Sequence, residues 1–182
     1  GLNGHILKGN AESLELPSEY FDIVYSHGVL HHTENINKTF NEIYRVLKPG
    51  GKFIVMLYAK ESFNYWIRIQ LYFRTRVLVE WMKNKIGIIN KGIWAEHIKN
   101  LNERGFNYLG WNEFPHHCTD GPNCEIADIF SKKEISKRLI NVGFKVEKKI
   151  KAHFPIGGKF PELERKIAKY IGFHRIIWCT KN

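Results

Sequence analysis

Adjacent imidazoles open the chemical reading of this chain. His31-His32 follow a Ser26-His27-Gly28 turn and precede Thr33, where an apolar-patterned helix begins. An imidazole gains and loses its proton near neutral pH, so His31 is a candidate general base. The plainer reading is that it packs against a substrate or cofactor, while His32 helps start the helix. Adjacent histidines seldom chelate one ion and no carboxylate partner is evident in the sequence, so no metal is expected here. The second conspicuous cluster is His116-His117-Cys118-Thr119-Asp120-Gly121-Pro122-Asn123-Cys124, whose C-x5-C spacing departs from the usual zinc patterns. It reads better as a turn built on Asp120-Gly121-Pro122 and placed over the mouth of a site. Tyr58, at the end of an apolar strand, can orient an acceptor or pack in the core.

These residues need elements to hold them. His5 to Gly9 reads as a short strand, and Phe21 to Ser26 as a second, separated by a loop at Pro17-Ser18-Glu19. Thr33 is the expected cap of the next helix. Ile36, Phe40, Ile43 and Leu47 recur at helical spacing and define one buried face, with Arg45 and Lys48 favourably placed in the last turn. Pro49-Gly50-Gly51 stops that helix, and Lys52 to Tyr58 forms a strand apolar enough to be central. Further on, Ser131 and Glu134 form a capping box for a helix with Ile135, Leu139 and Val142 on its core face, closed by Gly143. Phe144 to Ile150 is a strand, Pro161 to Ile171 a short helix stopped by Gly172, and Arg175 to Cys179 a terminal strand.

Between these blocks, residues 59–130 form an insertion rich in aromatics, from Phe63, Tyr65 and Trp66 to Trp111 and Phe114. Phe63 to Met82 reads as helical, with apolar residues around the whole wheel, so the helix is covered on several sides or lies at an interface. Arg68, Arg74, Arg76, Lys83 and Lys85 interleave with the aromatics. That mixture suits either an apolar or lipid-linked acceptor, taken in part from a membrane surface, or a plain helical cap.

Composition narrows the classes. With 43% hydrophobic and 25% charged residues the chain is of globular type, which argues against disorder. Three cysteines are too few and scattered for a disulfide framework, so a reducing, cytoplasmic setting is expected. The net charge of +10 collects at Lys132-Lys133, Lys137-Arg138, Lys145, Lys148-Lys149 and Lys151. No nucleic-acid motif accompanies it, so a solvated basic face is expected and no nucleic-acid partner.

From Gly9 to Tyr58 the order is strand end, loop, strand, Ser-His-Gly turn, helix, Pro-Gly-Gly, strand. This order and wording resemble the class I S-adenosylmethionine-dependent methyltransferases, in particular their UbiE-like small-molecule branch. The resemblance is clearest over residues 5–58 and returns at 131–151 and 174–181. It implies an α/β, Rossmann-like methyltransferase sheet, represented by its C-terminal portion, with the last strand antiparallel and the aromatic-rich helical insertion on the substrate side. It further implies one partial domain over 1–182, with 59–130 inserted in it. The implied cofactor is S-adenosyl-L-methionine and the implied acceptor a small or lipid-like molecule. Asn10 and Ala11 would meet the adenine, where the family usually has an acidic residue. Ser26, His27 and Gly28 would pass beneath the methionine part. His31 and Tyr58 are the implied catalytic positions.

The family's glycine-rich loop and ribose-binding acidic residue find no counterpart in the sequence. Two βα units, roughly 60 residues, are therefore expected to be missing before Gly1. An exposed apolar sheet edge, low stability and weak cofactor binding by this chain alone should follow. Two other readings remain open: a non-catalytic, methyltransferase-like binding module, and a nicotinamide-dependent oxidoreductase on the same kind of sheet.

Overall fold

The computed structural model describes residues 4–154 and 161–182. Strand β1 (Phe21–His27) leads through a tight turn at Leu30–His32 into helix α1 (Ile36–Val46), which runs directly into strand β2 (Leu47–Ala59). Helices α2 (Arg74–Lys85), α3 (Ile93–Arg104) and the single turn α4 (His116–Thr119) follow. Then come β3 (Ile129–Phe130), α5 (Lys132–Val142), β4 (Phe144–Ala152), α6 (Pro161–Ile171) and β5 (His174–Lys181).

The sheet order is β1-β2-β5-β4, with β1 and β2 parallel and β5 antiparallel to both its neighbours. The antiparallel final pair is the one expected. Parallel pairing puts the carboxyl ends of β1 and β2 at the same edge, and the antiparallel sense of β5 brings its first residue, His174, there too, opposite Tyr58. The two-residue β3 continues this edge by pairing with Tyr58 and Ala59.

One face of the sheet is dry. Phe53, Val55 and Leu57 of β2 and Ile177 and Cys179 of β5 pack against Ile36, Phe40 and Ile43 of α1 and Ile135 and Leu139 of α5. Period two in the strands meets the 3.6-residue period in the helices, so each element contributes a single stripe to this core. On the opposite face Ile54, Ile176 and Trp178 are only partly covered.

Local chemistry sets the boundaries, and several differ from expectation. Asn35, not Thr33, caps α1: its side chain accepts from the amides of Asn37 and Lys38. The Thr33 hydroxyl donates instead to the Leu30 carbonyl and closes the preceding turn. Pro49-Gly50-Gly51 does not separate helix from strand but bulges out of β2, because Phe21 pairs with Leu47 while Ile23 already pairs with Lys52. Gly51 is required there, since a Cβ would sit 2.8 Å from the Lys48 carbonyl oxygen.

His5 to Gly9 is not a strand. It pairs with nothing among the described residues, and Ile6 is fully exposed. A strand exists only by filling a neighbour's ladder, and no neighbour lies beside it. β1 likewise has β2 as its only partner among the described residues, and Ile23 and Tyr25 are exposed. That is the apolar edge the sequence led one to expect.

The helix expected over Phe63 to Met82 is two pieces, a wide π-helical stretch Asn64–Phe73 and then α2. Tyr65, Ile69 and Phe73 face inward, while Trp66, Ile67, Leu71 and Tyr72 stay exposed, so one side is covered rather than several. These helices build a second core of their own around Ile69, Val77, Ile98, Tyr108 and Phe114. No helix among the described residues is long and apolar enough to cross a membrane. Cys118, Cys124 and Cys179 are free thiols.

A half-buried ion pair joins β5 to the segment that follows β2. Arg175, whose side chain is 4% exposed, pairs with Glu61 and donates to the Phe130 carbonyl. Burial pushes the Glu61 carboxyl up, but the Arg175 hydrogen bond, the Lys132 amide and the Arg175 charge outweigh it and hold it below the usual glutamate value. The folded form therefore resists protonation. Its stabilising share is complete above the unfolded glutamate value, about 4.3, and is lost as pH falls through the lower folded value. Glu61→Gln should cost about 2 kcal/mol at pH 7, less than a fully buried pair because Glu61 is half exposed. Urea unfolding at pH 7 and again below pH 4 should show the difference from wild type shrinking in acid; a constant difference would rule the pair out as its source.

Candidate active site at the carboxyl edge of the sheet

The site is assembled at the edge shared by the ends of β1 and β2. Just past β1, Gly28 turns the chain with φ of +72°, a conformation L side chains rarely adopt, and a Cβ there would meet the Met56 methyl at 3.3 Å. Ser26 points inward, and its hydroxyl is buried without a partner among the described residues. His27 is exposed, its Nδ1 3.0 Å from the Tyr25 hydroxyl.

The Leu30–His32 turn then aims two imidazoles differently. His31 is fully buried, its ring 4.1 Å from the ring of Tyr58 and 4.2 Å from that of His32. Burial, reinforced by the neighbouring His32, lowers its pKa to about 4, so it is neutral at pH 7. Neither of its ring nitrogens has a partner among the described residues.

His32 lies at the rim. Its Nδ1 is 2.6 Å from the Ile126 carbonyl oxygen, and a carbonyl only accepts, so Nδ1 carries a hydrogen. Nε2 then faces Asp120 Oδ2 at 3.7 Å. Asp120 also accepts from the Tyr58 hydroxyl, at 3.1 and 3.2 Å from its two oxygens. Burial first, then the charge of Asp120, pushes the Tyr58 phenol up, so it remains a donor. Tyr58 stacks on Phe173 with centroids 4.4 Å apart. His174 is held neutral as well, lowered to about 4 by burial and by His153, whose ring stacks on it at 4.4 Å.

Asp120 was read from the sequence only as part of a turn over the mouth; the carboxylate partner judged absent beside His31-His32 comes from that turn. Gly121, at φ of +110°, permits the bend. The loop behind it is fastened to the histidine turn, since the Asp128 amide donates to the His31 carbonyl. Asn100 of α3 donates to the Pro122 carbonyl from the other side. The rest of the His116–Cys124 cluster is dispersed: His116 accepts from the Ala127 amide, and His117 faces Glu113 at 3.1 Å.

Asn10 caps its own turn, its side chain accepting from the Glu12 amide, while Ala11 packs on the main core. Glu12 in turn accepts from the Asn35 amide at the start of α1, which places the Asn10 turn beside that helix end.

With this geometry in hand, the relatives are informative. The sequence profile of the family described as "Methyltransferase domain" matches residues 2–55. A ubiquinone/menaquinone biosynthesis C-methyltransferase of Vibrio vulnificus is 37% identical over 62 residues, 34% of this chain and 24% of that protein. A demethylmenaquinone methyltransferase of Symbiobacterium thermophilum is 40% identical over 82 residues, 43% of this chain and 32% of that protein. In sequence, residues 2–55 are similar to the methyltransferase-domain family. The fold agrees over nearly the whole chain. A methyltransferase structure from Thermotoga maritima superposes with a TM-score of 0.59 at 20% identity, covering 98% of this chain and 64% of that one. One from Methanosarcina mazei gives 0.51 at 17% identity, covering 95% and 65%. The chain thus spans a quarter to a third of the curated relatives it matches and about two thirds of the solved ones.

Proposed function

We propose that this methyltransferase domain serves transfer of the sulfonium methyl of S-adenosylmethionine to a nucleophilic atom of a small-molecule or lipid-like acceptor. The observation that carries the reading is a convergence at one sheet edge. A left-handed glycine turn and a buried Ser26 hydroxyl without a partner among the described residues stand beside a polar set made by His32, Asp120 and Tyr58. Ligands of open α/β sheets bind outside the carboxyl ends of the strands, and this is that place. S-adenosylmethionine supplies an electrophilic methyl group when bound.

Ser26 and the exposed backbone at His27 and Gly28 fit the methionine end, where a side chain at position 28 would block close approach. Asn10 and Ala11 fit the adenine: one lone pair of the Asn10 side-chain oxygen is already used by Glu12, leaving the other, with the Ala11 amide as donor. His32 and Asp120, each about one-third exposed, are positioned to take a proton from an acidic acceptor. Tyr58 holds the Asp120 carboxylate in place. His31 is too weak a base at pH 7 to compete and packs as a neutral ring, unless a ligand uses its nitrogens. Residues 59–130 are the substrate-side cover in this reading.

Amide NMR of the chain titrated with S-adenosylhomocysteine to millimolar concentration tests the reading. Shifts should gather at Ala11, Ser26, His27 and Gly28 while β4 stays unmoved. Shifts confined elsewhere, or none, would remove it.

The exposed Trp66, Ile67, Leu71 and Tyr72, next to Arg68, favour a lipid-like acceptor met at a membrane surface. Co-sedimentation with anionic vesicles, weakened by Trp66→Ala together with Leu71→Ala, is the expected result. Absence of pelleting by the wild-type chain ends the membrane version.

A further inference from the structure

We infer that His31, His32 and Asp120 form a binding site for a borderline divalent metal cation such as Zn2+, with two imidazole nitrogens and one carboxylate oxygen as ligands. One ligand atom from each of the three lies within 4.8 Å of the others. That spread is wider than a filled coordination sphere, so small side-chain rotations must close it. Two further observations point to a cation rather than to a chance cluster.

The first is His31. Its side chain is fully buried, yet both ring nitrogens lack a partner among the described residues. Buried polar atoms are satisfied as a rule, and an exception calls for an explanation such as a missing ion. The second is the facing of His32 and Asp120. The Ile126 carbonyl fixes the hydrogen of His32 on Nδ1, so in the neutral ring Nε2 presents a lone pair. Opposite it, at 3.7 Å, is a carboxylate oxygen, itself an acceptor. Two acceptors turned toward each other need a shared proton or a cation between them.

The surroundings have the form of a metal site's outer shell. Ligating histidines usually donate their second nitrogen to a carbonyl or carboxylate, and ligating carboxylates are hydrogen-bonded in turn. His32 donates to Ile126, and Tyr58 donates to Asp120. Two imidazoles with one carboxylate suit zinc and its first-row neighbours, whereas hard cations such as Mg2+ prefer all-oxygen sets. His32 and Asp120 reach the solvent edge, which leaves the remaining coordination positions open toward the crevice. For the use of the cation, though not for its binding, the inference rests on the proposed methyl transfer: a coordinated acceptor hydroxyl would ionise near neutral pH, its proton passing to water.

The test is made on the whole chain without any methyl donor, so it can fail independently of the functional reading. Chelator-stripped protein titrated with Zn2+ in equilibrium dialysis should bind one equivalent, and Co2+ should give a visible band displaced by Zn2+. NMR of the imidazole nitrogens should show His31 and His32 shifting while His5 and His116 do not. Asp120→Asn, which preserves size and shape, and His32→Gln should each weaken binding at least about tenfold. His5→Ala should leave it unchanged. His31→Ala opens a hole in the core, so the two rim variants and the wild-type NMR carry the result. The site is overturned if the wild-type chain binds no zinc, if both rim variants bind as tightly, or if zinc shifts histidines elsewhere.

Discussion

Asp120→Asn should slow the proposed methyl transfer about 10²- to 10⁴-fold, the range for loss of a positioned acid–base group. The unfolding midpoint should hardly move. Asparagine fills the same space and still accepts from Tyr58 through its carbonyl oxygen, so the turn over the crevice keeps its anchor. The negative charge facing His32 disappears. A proton taken from the acceptor then has no carboxylate to stabilise it, and a bound cation loses an anionic ligand. Either loss falls on the rate with the acceptor in place. Tyr58→Phe should do less, because it removes the group that holds Asp120 and leaves the charge itself. Initial rates at saturating donor, with both variants compared at matched thermal stability, give the check. A neutral Asp120→Asn would mean that the acceptor needs no proton removed and that alignment alone suffices.

Phe40→Ala should lower the unfolding free energy by about 3–5 kcal/mol, the cost of emptying a large core position. Phe40 has no exposed surface and meets Phe53 of β2 edge-on at 6.1 Å, within the core that joins α1, α5 and the sheet. α1 and β2 are continuous in the chain, so neither element can slide far to close the hole. A domain with a total stability of ~5–15 kcal/mol loses a large part of it. Tyr170→Ala, at a side chain 70% exposed on α6, should stay within about 0.5 kcal/mol. Urea titrations should show the midpoint falling with little change in slope; a loss under 1 kcal/mol would show that the core tolerates the cavity.

The frame of the molecule was legible because periodic burial writes itself into sequence. Phe40 and Ile43 on α1, Ile135 and Leu139 on α5, and the apolar run of β2 all lie where their spacing places them. The capping box at Ser131 closes as expected, the Ser131 side chain accepting from the Glu134 amide. Boundaries resting on competition between caps were less legible. Thr33 and Asn35 are both good caps, and the choice went to the residue whose side chain reached two amides while Thr33 was already closing the turn before it. His5 to Gly9 misled because β-propensity describes what a segment can do beside a partner, and none of the described residues pairs with it.

The local pattern alone determined the α/β class, the main core and the turn that carries Gly28 and His31-His32, since each depends on residues only a few positions apart. Which carboxylate would answer those histidines was decided by tertiary structure. Asp120 arrives from beyond three helices, held by single hydrogen bonds from Tyr58 and, through its loop, from Asn100 and Asp128. The same is true of the different settings of two adjacent imidazoles: one is sealed in the interior, the other lies at the rim. Burial and the direction of a lone pair are properties of packing, and no spacing along the chain records them.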